Sequence, residues 1–201
     1  MTWVLLAASY LLGATPTSYL AGRALRGIDL RQHGSGNLGA TNAFRVMGWK
    51  GAVPALFLDI FKGWAPVALF PLWDGSPRAE WALAYGAAAI VGHVYSVYVR
   101  FRGGKGVATS AGVLLALAPW GVLAGAVVWG LMVFITRIVS VSSILAAVVV
   151  PVAVYFTNGP GMVLWLTVAV ALFVIFAHRS NIGRLLRGEE HRFGRRPGEA
   201  P

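Results

Sequence analysis

Three short stretches of the chain join glycines to cations and side-chain donors, a combination suited to holding anions. The first is GSGNLGATN at 34–42, followed by Arg45. Gly34, Gly36 and Gly39 permit turns in which successive N–H groups converge on one anion. Ser35, Asn37, Thr41 and Asn42 add side-chain donors, and Arg45 offers a guanidinium fork matched to phosphate oxygens. The spacing mimics a Walker A loop, but Ala40 stands where that loop needs its lysine, which excludes a nucleoside-triphosphate site. A plain flexible connector would explain the glycines; it would not explain the interspersed donors.

The second stretch, RFRGGKGVAT at 100–109, sets Gly103, Gly104 and Gly106 around Lys105 at the start of an apolar run. Here the backbone is expected to approach a phosphate closely, helped by the positive end of the helix that follows. Three charges enforcing topology would account for the cations alone. The third, HRSNIGRLLRGEE at 178–190, places His178 and Asn181 three apart, on one face if a helix continues, with Arg184 a turn further. A stop-transfer cluster is the simpler alternative there. Glu190, among Arg184, Arg187 and Arg192, reads as a structural anchor. Asp59 and Lys62 lie three apart within an apolar run and read as a self-neutralising structural pair. His93 reads as a packed polar residue.

The elements that must position these residues are apolar helices. Of 201 residues 57% are hydrophobic and 12% charged, about half the charge of a soluble domain at roughly 25%. That excludes an ordinary soluble protein and a disordered one, leaving an all-α, polytopic transmembrane helix bundle formed as one integral membrane domain over 1–201. The net charge of +10 then points to anionic lipid head groups or phosphorylated substrates, not nucleic acid. The chain has no cysteine, so disulfides, thiolate metal sites and cysteine nucleophiles are absent; no metal or cofactor is expected.

Apolar stretches occur at about 1–22, 51–73, 80–99, 107–136, 138–157 and 161–177. The first has no Lys or Arg before Arg23 and is expected to be a retained span, not a signal peptide. Basic residues crowd the segments 23–50, 100–107 and 178–201, which the positive-inside rule puts in the cytoplasm. Between Lys105 and Arg179 an even number of crossings is then required, yet three apolar stretches intervene. A continuous helix over 107–136 would reach about 45 Å at 1.5 Å per residue, too long for a core of roughly 30 Å. A turn at Pro119, Trp120 and Gly121 is therefore expected to divide it into two short crossings. The result is seven spans, with the N-terminus outside and the C-terminus cytoplasmic. All the Lys and Arg except Lys62 and Arg78 then face the cytoplasm. The tail at 188–201 is expected to fray.

Together the three motifs resemble the signature of the bacterial acyl-phosphate:glycerol-3-phosphate acyltransferase family, small proteins of the inner membrane. The resemblance covers nearly the whole chain and rests on GSGNLGATN with Arg45, on GGKGVAT at 103–109, and on His178, Asn181, Ile182, Arg184, Leu185, Gly188 and Glu190. Asp59, Lys62 and Gly63 match a further family feature. Ser96, Tyr98 and Arg102 stand where the family usually has Pro, Phe and Lys, and Ala14 where Ser is common. The resemblance implies transfer of a fatty acyl group from acyl phosphate to the 1-position of glycerol 3-phosphate, yielding lysophosphatidic acid and phosphate. It implies membrane lipids as surroundings and a site on the cytoplasmic side.

Both substrates carry phosphate and one carries a long apolar chain, so two cationic glycine loops at a bilayer surface fit them. The 34–42 loop is expected to hold acyl phosphate, and Arg45, Lys105, His178 and Asn181 to grip glycerol 3-phosphate, with Ser35 in the donor nest. The proton acceptor is either His178, whose ordinary pKa is about 6.5, or a substrate phosphate oxygen. A transporter or channel for a small phosphorylated anion is the competing reading. It is disfavoured because charges within the spans are confined to Asp59 and Lys62.

Overall fold

Helices account for all the regular structure among the residues that the computed structural model describes, 1–75 and 79–193. Arg78 of the expected outer gap and residues 194–201 of the tail lie outside them. The chain divides into two compact units, one over Met1–Leu117 and one from Ala118 onward.

The first unit contains α1 (Thr2–Ala14), α2 (Thr17–Arg26), α3 (Ala40–Met47), α4 (Trp49–Asp74), α5 (Ala79–Val94) and α6 (Val107–Leu117). The expected single span over 1–22 is a bent pair, α1 and α2, turning by 42°. Pro16 between them has no N–H, so it cannot continue the ladder, and carbonyls at the end of α1 are left for other donors. The Ala14 carbonyl accepts Ser96 Oγ at 2.5 Å and the Thr15 carbonyl accepts Lys62 Nζ at 2.7 Å. The bend is thus tied to two other parts of the unit through carbonyls at the helix break.

Glycines set how closely these helices pack. A Cβ on Gly13 of α1 would strike the backbone of Ala89 in α5, and one on Gly92 of α5 would strike the backbone of Tyr10. Gly63 of α4 meets Thr109 in the same way, and Gly112 of α6 meets Ile60. In lipid, helices gain little from burying apolar surface, so close approach across small residues supplies the packing. At the opposite end of α4, Asp74 accepts Thr2 Oγ1 at 2.6 Å and the hydroxyl of buried Tyr85 at 2.9 Å, fastening α1, α4 and α5 together.

In the second unit are α7 (Pro119–Thr136), α8 (Val139–Asn158), α9 (Met162–Ala177) and α10 (Arg179–Leu186). Gly121 and Gly125 of α7 seat against Val154 and Val150 of α8, and Trp129 Nε1 donates to Ser143 Oγ at 3.2 Å. The division of 107–136 occurs, but one residue early: Ala118 is non-helical, while Pro119 opens α7 and Trp120 and Gly121 are helical. The reason is local. At the first position of a helix the N–H has no partner to lose, so proline starts α7 instead of interrupting it.

Among the described residues, four helices are long and apolar enough to cross a membrane, and up to six spans result if each bent pair, α1–α2 and α9–α10, crosses as one. The remaining apolar helix, α6, has 11 residues, about 16 Å at 1.5 Å per residue. Large apolar side chains such as Phe57, Phe61, Phe134 and Phe156 are exposed along the helices, as lipid contact requires.

Candidate active site

The loop before α3 is built from the inside. Asp29 accepts the Arg31 N–H at 3.0 Å and pairs with its guanidinium at 2.6 Å, closing a 3-10 turn at Leu30–Gln32 over fully buried Leu30. The side-chain bond from Arg31 holds the Asp29 carboxyl down at about 2. Arg31 also lies 5.2 Å from the centre of the Tyr19 ring. Asn42, expected to face a phosphate, points inward and is 2% exposed. Its Nδ2 donates to the His33 carbonyl at 3.0 Å and its Oδ1 accepts the Ser35 N–H at 2.8 Å.

Several amides of this loop are committed internally. The Gly39 N–H donates to Asn37 Oδ1 at 3.0 Å and the Gly36 N–H to the His33 carbonyl at 3.1 Å. A nest made from the 34–39 amides is therefore not the arrangement observed. Gly34 and Gly36 take left-handed conformations (φ 62° and 71°), which fold the loop back so that Asn42 can reach across it. The outward-facing groups are the Ser35 and Thr41 side chains, both exposed, and Arg45 on the exposed side of α3. Next to them α3 starts at Ala40; its Asn42 and Ala43 N–H groups donate to the Gly39 carbonyl at 3.1 Å, so only the Ala40 and Thr41 amides precede the helical ladder.

The second motif is strapped to the end of α5. The Gly103 N–H donates to the Val94 carbonyl at 2.9 Å and the Gly104 N–H to the His93 carbonyl at 3.2 Å. A Cβ on Gly103 would strike the His93 carbonyl, and one on Gly104 would strike the His93 imidazole at Nε2. These two glycines thus permit approach to the protein's own α5, not the direct approach to a phosphate that the pattern suggested. Arg100 and Phe101, both in left-handed conformations (φ 58° and 59°), carry the chain around the tight turn. Gly106 (φ 79°) then leads into α6, and Lys105 is left half-buried between two buried glycines.

Behind this loop is a buried polar cluster. Asp59 Oδ1 lies 2.7 Å from Lys62 Nζ, accepts Thr17 Oγ1 at 2.6 Å and sits 3.5 Å from His93 Nδ1. The Asp59–Lys62 pair was legible from its spacing. The parts of Thr17 and His93 were not, since nothing local marks either as a neighbour of Asp59.

The third motif lies in the second unit, where α9 and α10 meet at 53°. His178 occupies the bend, so it and Asn181 do not share one continuous helix as the spacing suggested. His178 is 4% exposed, and its Nδ1 is 2.8 Å from the Val174 carbonyl. A carbonyl can only accept, so Nδ1 carries the proton in this contact. Asn181 Nδ2 donates to Glu190 Oε1 at 2.5 Å, Ser140 Oγ donates to the same oxygen at 2.9 Å, and Arg184 Nε donates to Oε2 at 2.7 Å. Burial opposes the charge on Glu190, but these three donors outweigh it and hold the carboxyl below its ordinary range. Of the arginines around Glu190, Arg184 thus contacts it, whereas Arg187 pairs with Glu189 at 2.7 Å.

The glycerol-3-phosphate acyltransferase family profile matches residues 3–188. The chain belongs to that family. Among relatives of this acyltransferase family, the glycerol-3-phosphate acyltransferase of Syntrophotalea carbinolica is 45% identical over 95% of this chain and 97% of its own. That of Trichlorobacter lovleyi is 46% identical over 95% and 96%. Two solved structures of PlsY (YgiH), an integral membrane glycerol 3-phosphate acyltransferase, share the fold. The glycerol 3-phosphate form has 38% identity and a TM-score of 0.88 over 96% of both chains. The lysophosphatidic acid form has 37% identity and a TM-score of 0.85 over 96% of this chain and 95% of that one. The acyltransferase family is thus established for nearly the full length, and the chain is an integral membrane enzyme of that family.

Proposed function

We propose that this acyltransferase moves a fatty acyl group from acyl phosphate to the 1-hydroxyl of glycerol 3-phosphate, the first acylation of phospholipid synthesis. It would act at the cytoplasmic face of a bacterial inner membrane, on a chain crossing seven times with its N-terminus outside. The observation that carries the reading is the pairing of the internally braced 34–42 loop, with Arg45 beside it, and Lys105 on a loop strapped to α5. Both present cations on rigid supports within one unit, and both substrates are phosphates. The relatives named for glycerol 3-phosphate support the acceptor.

An acyl phosphate is already activated, so no acyl-enzyme is required. The acceptor hydroxyl oxygen attacks the acyl carbonyl carbon, the bond from that carbon to the bridging oxygen breaks, and phosphate leaves with that oxygen and the electron pair. Holding the reactants in place supplies about 7–11 kcal/mol in favourable cases, and a preorganised donor about 3–4 kcal/mol. Arg45 and Lys105 are assigned to the phosphate of glycerol 3-phosphate, and the outward hydroxyls of Ser35 and Thr41 with the leading amides of α3 to acyl phosphate. Asn37, Asn42, Gly34, Gly36 and Gly39 shape that loop, and Gly103, Gly104 and Gly106 shape the other. The hydroxyl proton passes to a substrate phosphate oxygen, and His178 Nε2 is assigned to accept a hydrogen bond from a substrate hydroxyl. Asn181 acts by fixing the Glu190 network.

Purified enzyme in detergent should release phosphate from palmitoyl phosphate only when glycerol 3-phosphate is added. Comparable turnover with palmitoyl-CoA and no acyl-phosphate-forming enzyme present would overturn the choice of donor.

A further inference from the structure

His93 is 6% exposed and sits in the last turn of α5, with one edge of its imidazole toward α4 and the other toward the second motif. On the first side its Nδ1 lies 3.5 Å from Asp59 Oδ1. That carboxylate is fixed in turn by Lys62 at 2.7 Å and Thr17 at 2.6 Å. On the other side its Nε2 abuts Gly104, where a Cβ would overlap the ring. The His93 carbonyl also accepts the Gly104 N–H at 3.2 Å. Side chain and backbone of one residue therefore define both faces against which the chain rests immediately before Lys105.

We propose that His93 is a positioning residue for Lys105, setting through Gly104 the place of the ammonium that receives the phosphate of glycerol 3-phosphate. The reading rests on the assignment of Lys105 to that substrate. A buried imidazole packed 3.5 Å from the Asp59 carboxylate is a stiff stop, because turning it would press on the Asp59–Lys62 pair, whose charges cannot be left unbalanced in the interior at small cost. Without the ring, the Gly103–Gly104 strap keeps its backbone bonds but loses the surface that limits its approach to α4. Lys105 would then drift from its productive place, and misplacement of about 1 Å can cost on the order of 100-fold. Use of acyl phosphate should be unaffected.

The test compares His93→Ala, Gly104→Ala, their double variant, Lys105→Ala, and Lys105→Ala combined with His93→Ala, in steady-state assays normalised to folded protein. His93→Ala is expected to raise the KM for glycerol 3-phosphate by roughly tenfold or more while leaving the KM for palmitoyl phosphate unchanged. Gly104→Ala, which drives a methyl group into the ring, should do the same. Adding His93→Ala to Gly104→Ala should recover part of the loss, because the ring that the methyl strikes is gone. On the Lys105→Ala background, His93→Ala should add little. If Lys105→Ala raises the KM and His93→Ala does not, the positioning role is overturned while the assignment of Lys105 stands. If Lys105→Ala itself leaves the KM unchanged, both fall. Should His93→Ala fail to fold, His93→Asn keeps a donor toward Asp59 without the outer half of the ring, and the same KM split decides.

Discussion

Asn42 Oδ1 accepts the Ser35 N–H at 2.8 Å while the same side chain donates to the His33 carbonyl at 3.0 Å. One amide thus closes the glycine loop from inside and fixes the place from which Ser35 reaches outward. Asn42→Ala leaves both backbone groups to find water or remain unpaired, at a cost of about 1–3 kcal/mol for each one left buried. The expected outcome is a lower melting temperature in detergent together with a higher KM for palmitoyl phosphate. Unchanged kinetics in the folded fraction would show that the loop holds its shape without Asn42.

Ser35 and Arg45 are assigned to different substrates and should fail differently. Arg45→Ala removes a charge-assisted contact worth about 1.5–3 kcal/mol, or roughly 10- to 150-fold in kcat/KM, expressed on glycerol 3-phosphate. Ser35→Ala should act mainly on the acyl phosphate. Initial rates with each substrate varied in turn would reveal the split, and identical profiles for the two variants would refute separate assignments.

Acid should loosen the second unit through Glu190. Its folded-state pKa lies below the ordinary 4.5, so its stabilisation is present above 4.5 and is lost as pH falls through the lower folded value. Wild type should therefore melt at a higher temperature than Glu190→Gln at neutral pH, and the gap should narrow as pH drops below about 4.5. A gap that stays constant down to pH 3 would mean that the carboxylate charge is not what anchors Asn181 and Arg184.

Asp59 and Lys62 are 1% and 3% exposed, so the loss of one charge leaves the other stranded. Asp59→Ala should destabilise by about 3–5 kcal/mol and lower the yield of folded protein. Combining it with Lys62→Met, which removes the stranded ammonium, should restore part of that yield. Thermal melts of the single and double variants check this, and no recovery in the double variant would count against electrostatic compensation.

The proposed seven crossings predict a labelling pattern. Single Cys substitutions at exposed Trp120 and Asn158 should react with an impermeant thiol reagent from outside in intact cells, and Arg137→Cys only after the inner face is opened. Labelling of Arg137→Cys from outside would require the parity of the crossings to be rebuilt.

What the sequence determined by itself was local or compositional. Apolar runs marked the long helices because burial in lipid demands about 20 apolar residues regardless of neighbours. Ala118 and Pro119 divided α6 from α7 because proline acts on its own backbone, within a residue of where the pattern put the break. The spacing of Asp59 and Lys62 fixed their pairing, since residues three apart on a helix are neighbours before any tertiary contact forms. The glycine motifs and their cations pointed to anion chemistry, an expectation that rests on residue type and order alone.

Tertiary structure decided what those groups touch. Gly103 and Gly104 looked like backbone bared to a phosphate, yet their missing side chains make room for His93, a residue on another element. Asn42 looked like a donor to substrate but is consumed by His33 and Ser35. Glu190 chose Asn181, Arg184 and Ser140 over Arg187, which Glu189 took. Thr17 and His93 reach Asp59 only because α2, α4 and α5 pack side by side. A buried polar group takes whichever partner the packing brings within hydrogen-bond distance, and that choice is made between segments far apart in the chain, where sequence spacing carries no information.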